Sequence, residues 1–199
     1  MPLAERHLCL LFDPAACRHD PWETLATGLA AGVDLVQWRT KGRGDEQLGR
    51  CLQLCREHHT PVIVNDDVDL AVRCGASGAH VGQDDLPAAE ARRRLGSRWL
   101  GVSTHDPAQI AAAVAAGADY VGFGPCHPTT TKGYTTGKSA AEIAAAVAAC
   151  PVPLFAIGGI DAGNLTALRE LGVHRIAVSG AILGAEDPAA AAAALRRLL

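Results

Sequence analysis

Aromatic side chains make up only 4% of this 199-residue chain. With so few large rings, the core has to be filled by alanine, valine, leucine and isoleucine. A hydrophobic content of 49% is enough for one domain with a sizeable core. Positive charge is also scarce: the formal net charge is −3. The only basic run, Arg92-Arg93-Arg94, falls on an expected helix, where a solvated face accounts for it. The chain therefore carries no electrostatic footprint for nucleic acid. No stretch reaches the roughly 18 consecutive apolar residues of a membrane span, and the first residues lack the long apolar core of a signal peptide. The seven cysteines include no Cys-x-x-Cys pair, and the eight histidines show no metal-site spacing. Such a set fits reduced thiols in a cytoplasm rather than a disulfide framework or a structural zinc.

What is present is alternation. Short apolar runs at 8–12, 33–38, 61–64, 79–81, 99–102, 120–123, 154–157 and 176–178 are separated by longer helical patterns. These lie near 21–31, 46–58, 67–74, 87–96, 107–116, 139–149, 162–171 and 187–198. Strands without polar alternation are buried on both faces, as in parallel sheets. Eight β–α units in this length predict a single-domain (β/α)8 TIM barrel over residues 1–199 with short loops. Glycines at 32, 75, 117 and 172 mark helix ends before strands, and Asp106-Pro107 and Asp187-Pro188 mark helix starts. The alternative, a doubly wound open sheet, lacks a Gly-x-Gly-x-x-Gly after its first strand.

A barrel of this kind carries its site at the C-terminal strand ends. After the second run stand Gln37, Arg39 and Lys41; alternate residues of an extended segment share a face, so an amide and two cations converge, which suits a diphosphate. The third and fourth runs lead into Asn65-Asp-Asp-Val-Asp69 and Gly82-Gln-Asp-Asp-Leu86. Two carboxylates from neighbouring strand ends plus phosphate oxygens would make a magnesium site. Helix capping by Asp66 or Asp67, and by Asp84 or Asp85, explains the same acids differently. His80 reads as a packing or capping residue. The sixth run breaks at Gly124-Pro125 into Pro128-Thr-Thr-Thr-Lys132, a loop of hydroxyls and one of only three lysines. Gly158-Gly159 and Ser179-Gly180 follow the last two runs, where backbone amides can meet phosphate. The inventory implies two anionic groups.

These residues match a family. Val36-Gln-Trp-Arg-Thr-Lys41, Asn65-Asp66, His80-Val-Gly-Gln-Asp-Asp-Leu-Pro87, Gly101-Val-Ser-Thr-His105, Gly122-Phe-Gly-Pro125 with Pro128-Thr-Thr-Thr-Lys132, Ala156-Ile-Gly-Gly-Ile160 and Val178-Ser179 stand in one order. By them the chain resembles the thiamine-phosphate synthases, within the group that also holds the thiazole tautomerases. The resemblance implies a cytoplasmic transferase that couples a hydroxymethylpyrimidine diphosphate to a thiazole phosphate, with Mg2+ as cofactor. It implies that Gln37, Arg39, Lys41 and Asn65 hold the diphosphate and that Asp66 and Asp85 ligate the metal. Ser103 would touch the pyrimidine. Thr129 and Thr131 would meet the thiazole phosphate, with Gly159, Val178 and Ser179 completing its pocket and Lys132 reaching the diphosphate. Arg39, Lys41, Lys132 and Ser103 would serve the chemical step. Partners are small molecules, with neither nucleic acid nor membrane, and assembly as a homo-oligomer stays open. Two alternatives share the resemblance: a thiazole tautomerase working through Cys126 or His127, and a non-catalytic paralogue that binds thiamine phosphates.

Overall fold

The structure is a computed structural model in which residues 2–40, 45–128 and 135–199 are described. Eight strands close into a parallel barrel, each hydrogen-bonded to the next in sequence and β1 to β8. They are β1 (Leu8–Phe12), β2 (Leu35–Trp38), β3 (Val62–Asn65), β4 (Gly78–Val81), β5 (Trp99–Thr104), β6 (Tyr120–Phe123), β7 (Leu154–Ile157) and β8 (Ile176–Val178). The intervening helices are α1 (Pro21–Ala30), α2 (Leu48–Glu57), α3 (Val68–Arg73), α4 (Ala88–Leu95), α5 (Pro107–Ala115), α6 (Ala140–Ala149), α7 (Leu165–Glu170), α8 (Gly180–Leu183) and α9 (Pro188–Leu198). The expected (β/α)8 barrel is thus the fold.

Some limits differ from the sequence reading, and β2 begins at Leu35 rather than at residue 33. β3 continues through Asn65 and β5 through Ser103 and Thr104, residues expected to follow their strands. Their backbones still pair, Asn65 opposite His80 and Ser103 opposite Gly122. A polar side chain at the barrel mouth ends the apolar run without ending the ladder. The single-turn α8 was also not anticipated; four residues are too few to show a helical period.

Strand alternation sorts the side chains into two layers. Leu8, Leu10, Phe12, Val36 and Trp38 face outward and pack under the helices. Cys9, Leu11, Leu35, Ile63, Tyr120, Phe155 and Ala177 fill the barrel interior, with Leu3 below them. Helix starts are capped where acids precede them. Asp20, Asp67, Asp106 and Asp187 each accept backbone N–H bonds, and Ser139 forms a reciprocal box with Glu142. Each such cap contributes about 1 kcal/mol. At the N-terminal face Asp34 accepts from the N–H of His7 and Leu8 and pairs with Arg196 at 2.8 Å, tying β1, β2 and α9 together. No helix among the described residues is long and apolar enough to cross a membrane.

Candidate active site

The C-terminal ends of the strands carry two neighbouring cavities. One, of about 670 Å³, lies over β2 and β3 and is lined by Arg39, Asn65, Asp66, Asp67, Asp69 and Arg94 among others. The other, of about 490 Å³, lies over β5 to β8 and includes Ser103, His105, Gly158, Gly159, Val178 and Ser179 in its wall. Arg39 borders both. It also borders a narrow space of about 30 Å³ inside the barrel, shared with Gln37, Asn65, His80, Ser103 and Tyr120.

The alternation expected along β2 holds for its described residues. Leu35 faces the interior, Gln37 follows on the same side, and Arg39 continues that line into the mouth, while Trp38 packs outward beside Phe12. Gln37 itself stays buried below the two large cavities. Lys41, Thr129, Thr131 and Lys132 lie outside the described residues.

The acid clusters divide between capping and display. Asp67 caps α3, accepting the N–H of Leu70 at 2.7 Å. Asp66 is turned differently. Its backbone is in the left-handed region at φ +66°, its N–H donates to His80 O at 2.7 Å, and its exposed side chain lines the larger cavity. A left-handed aspartate costs backbone energy, and such strain gathers at functional positions. Asp85 is also exposed. It accepts the N–H of Gly82 at 2.7 Å and stands outside the linings of all three cavities; the N-cap of α4 is instead Pro87, with no side-chain cap.

Among the described residues no group of three His, Cys, Asp or Glu could hold a metal by itself. Displayed carboxylates without a full cage suit Mg2+, which keeps waters and takes one or two carboxylates plus substrate phosphate oxygens. They do not suit zinc, which wants four tetrahedral ligands. Asp66 offers a carboxylate of that kind on the larger cavity, while Asp85 stands outside its lining.

Beneath the mouth lies a buried polar row that the sequence did not disclose. His80 Nδ1 is 3.1 Å from the Tyr120 hydroxyl and its Nε2 is 2.9 Å from Ser103 Oγ. Burial pushes the Tyr120 phenol well above its ordinary pKa, against a hydrogen bond from Gln37 that pulls it down, so it stays a neutral hydroxyl. Gly101, between them on β5, leaves the space in which His80 and Tyr120 meet. Ser103 is thus oriented from below and presented to the about 490 Å³ cavity.

That cavity has a glycine-lined wall. Gly158 and Gly159 have φ +99° and +60°, conformations open to glycine, and turn the backbone sharply after β7. The Asn164 side chain holds this turn, donating to Gly159 O at 2.8 Å and accepting from Asp161 N at 3.1 Å. Ser179 and Val178 supply the neighbouring wall from β8. Cys126 and His127 are absent from it. Cys126 is buried among outward-facing residues, and burial pushes its thiol up to about 11. His127 packs behind Gly159, with its Nε2 buried and unpartnered among the described residues. Arg94, read from sequence as part of a solvated face, borders the larger cavity while pairing with Asp69 at 3.0 Å.

Comparison with known proteins gives a consistent match. The family described as thiamine monophosphate synthase matches residues 8–182. A thiamine-phosphate synthase of Synechococcus sp. (strain WH7803) is 44% identical over 99% of this chain, which spans 58% of that relative's length. One of Geobacillus kaustophilus (strain HTA426) is 43% identical over 87% of this chain and 82% of its own. Among solved structures, the thiamine phosphate pyrophosphorylase from Pyrococcus furiosus superposes with a TM-score of 0.87 at 29% identity, covering 96% of this chain and 94% of that one.

Proposed function

The chain belongs to the thiamine monophosphate synthase family, and from that premise we propose that it is a transferase of thiamine biosynthesis. It joins a hydroxymethylpyrimidine diphosphate to a thiazole phosphate. The C–O bond to the diphosphate breaks, pyrophosphate leaves with the electron pair, and the thiazole nitrogen lone pair forms the new C–N bond. The products are thiamine phosphate and pyrophosphate. The observation that carries this reading is the position of Arg39, between a cavity with displayed carboxylates and a cavity with a glycine-lined wall. Two anions can be bound there with one guanidinium against both.

On this reading the diphosphate lies with Arg39, Lys41 and Asn65, with Lys132 reaching it and Gln37 beneath. Asp66 and Asp85 would hold Mg2+, which would offset leaving-group charge. Ser103, fixed by His80, orients the pyrimidine. Gly159, Val178 and Ser179, with Thr129 and Thr131, hold the thiazole phosphate so that its nitrogen faces the reacting carbon. Alignment and charge neutralisation then do the catalytic work, with no side-chain base required. The barrel over residues 1–199 acts as one domain, in the cytoplasm, on small molecules alone, and a homo-oligomer is compatible with it. The isomerase alternative finds less support, because Cys126 and His127 do not line the cavity. The test is incubation of the pure protein with both substrates and magnesium. Equal amounts of pyrophosphate and thiamine phosphate are expected; thiazole isomerisation without pyrophosphate release would overturn the proposal.

A further inference from the structure

His105 closes the Gly101–His105 motif and has no part in the chemistry above. Its Nδ1 lies 2.7 Å from the carbonyl oxygen of Gly124. A carbonyl only accepts, so that nitrogen carries the hydrogen. The histidine is itself anchored. Its N–H donates to Gln109 Oε1 at 2.8 Å, and Asp106 caps α5 by accepting Gln109 N–H at 2.8 Å. Gly124 is held from the other side too, since a Cβ there would stand 2.2 Å from Ile157 O.

Past Gly124 the chain is laid directly on the glycine turn. Cys126 N–H donates to Ile157 O at 2.8 Å and His127 N–H to Gly158 O at 3.0 Å. A Cβ on Gly158 would meet Pro125 Cβ at 2.7 Å, and one on Gly159 would meet Pro128 O at 2.4 Å. Segment 124–128 and the turn at 158–159 therefore fit without slack, and a shift in one moves the other.

We propose that His105 is a positioning residue for the glycine-lined wall. Through Gly124 it fixes where segment 124–128 begins, and that segment lies hydrogen-bonded along Ile157 and Gly158. It thereby sets the width of the about 490 Å³ cavity and tunes it to the monophosphate substrate rather than the diphosphate. Only the identity of that ligand rests on the coupling reading; the clamp itself rests on the geometry.

Two variants test it. His105→Ala removes the donor, and His105→Asn offers a side-chain N–H at a similar place. Loss of one intramolecular hydrogen bond predicts that His105→Ala raises KM for the thiazole phosphate about tenfold, with KM for the diphosphate changed less than about twofold. Residue-resolved amide exchange should quicken about tenfold at Cys126 and His127 and stay native at Val36, on the far side of the barrel. His105→Asn should recover most of both effects. Native exchange at Cys126 and His127 in His105→Ala would overturn the clamp. So would equal rises of both KM values, or an asparagine variant no better than alanine. If the native protein fails to couple the two substrates, the coupling reading falls, and amide exchange still decides the clamp.

Discussion

Replacing Gly101 with alanine should damage the site from inside the barrel. The new Cβ would stand 2.1 Å from Tyr120 Cζ, 2.3 Å from its oxygen and 2.5 Å from His80 Nδ1. Comfortable carbon contacts begin near ~3.5 Å, so at least one ring must retreat by more than an ångström. Neither has room. His80 is held by Ser103, and Tyr120 is wedged edge-on against Phe155 with centroids 5.5 Å apart. Overpacking of this kind costs about 1–3 kcal/mol. Separating His80 from Tyr120 leaves buried polar atoms unmet, for about 1–3 kcal/mol more. For a chain of this size the midpoint of thermal unfolding should fall by roughly 5–20 °C. Because Ser103 moves with His80, the coupling rate should drop by on the order of tenfold or more at temperatures where the variant is folded. Calorimetry and pyrophosphate release measure the two effects. A variant with native midpoint and native rate would refute the crowding on which the Ser103 assignment depends.

Arg39→Ala should raise KM for the diphosphate by roughly 10–100-fold, the worth of a charge-assisted hydrogen bond, with a smaller rise for the thiazole phosphate; an unchanged diphosphate KM would remove the basis for that pocket. Asp67→Ala should cost about 1 kcal/mol of stability through its lost cap and keep activity, whereas Asp66→Asn should fold normally and lose its response to magnesium. Identical effects of the two in a magnesium titration would undo the division between cap and ligand. His127→Ala should slow coupling by less than about tenfold, below the ~10²–10⁴ carried by a general acid or base. Cys126, buried and with its thiol raised to about 11, should resist alkylation at neutral pH in the native protein, and rapid labelling there would contradict its packing.

The barrel was legible because each unit states itself locally. Apolar runs at 8–12, 120–123, 154–157 and 176–178 became strands with those same limits, since a strand buried on both faces needs nothing but apolar residues. Asp106-Pro107 and Asp187-Pro188 became an N-cap and first turn as read. The polar strand ends were legible for a related reason: Arg39, Asn65, Ser103 and Ser179 interrupt runs that the core would otherwise fill. What local sequence left open was the choice between Asp66 and Asp67. Either could cap α3, and the choice is made by the left-handed turn at Asp66, which points one carboxylate at Leu70 N and the other into the cavity.

The buried polar row was hidden because its members meet through register rather than through spacing. His80, Gly101 and Tyr120 stand opposite one another on β4, β5 and β6. In the chain they are far apart, and each alone reads as filler. The signal that could have found them is complementarity of size. Once eight strands are assumed, an inward glycine on β5 needs large neighbours on β4 and β6, or it leaves a void. Here the neighbours are an imidazole and a phenol, ring side chains that both carry hydrogen-bonding groups. Placed around a glycine and buried, they must bond to each other. The remaining imidazole nitrogen must then look one step up the barrel, where Ser103 stands. A glycine in a strand thus predicts how the serine above it is aimed.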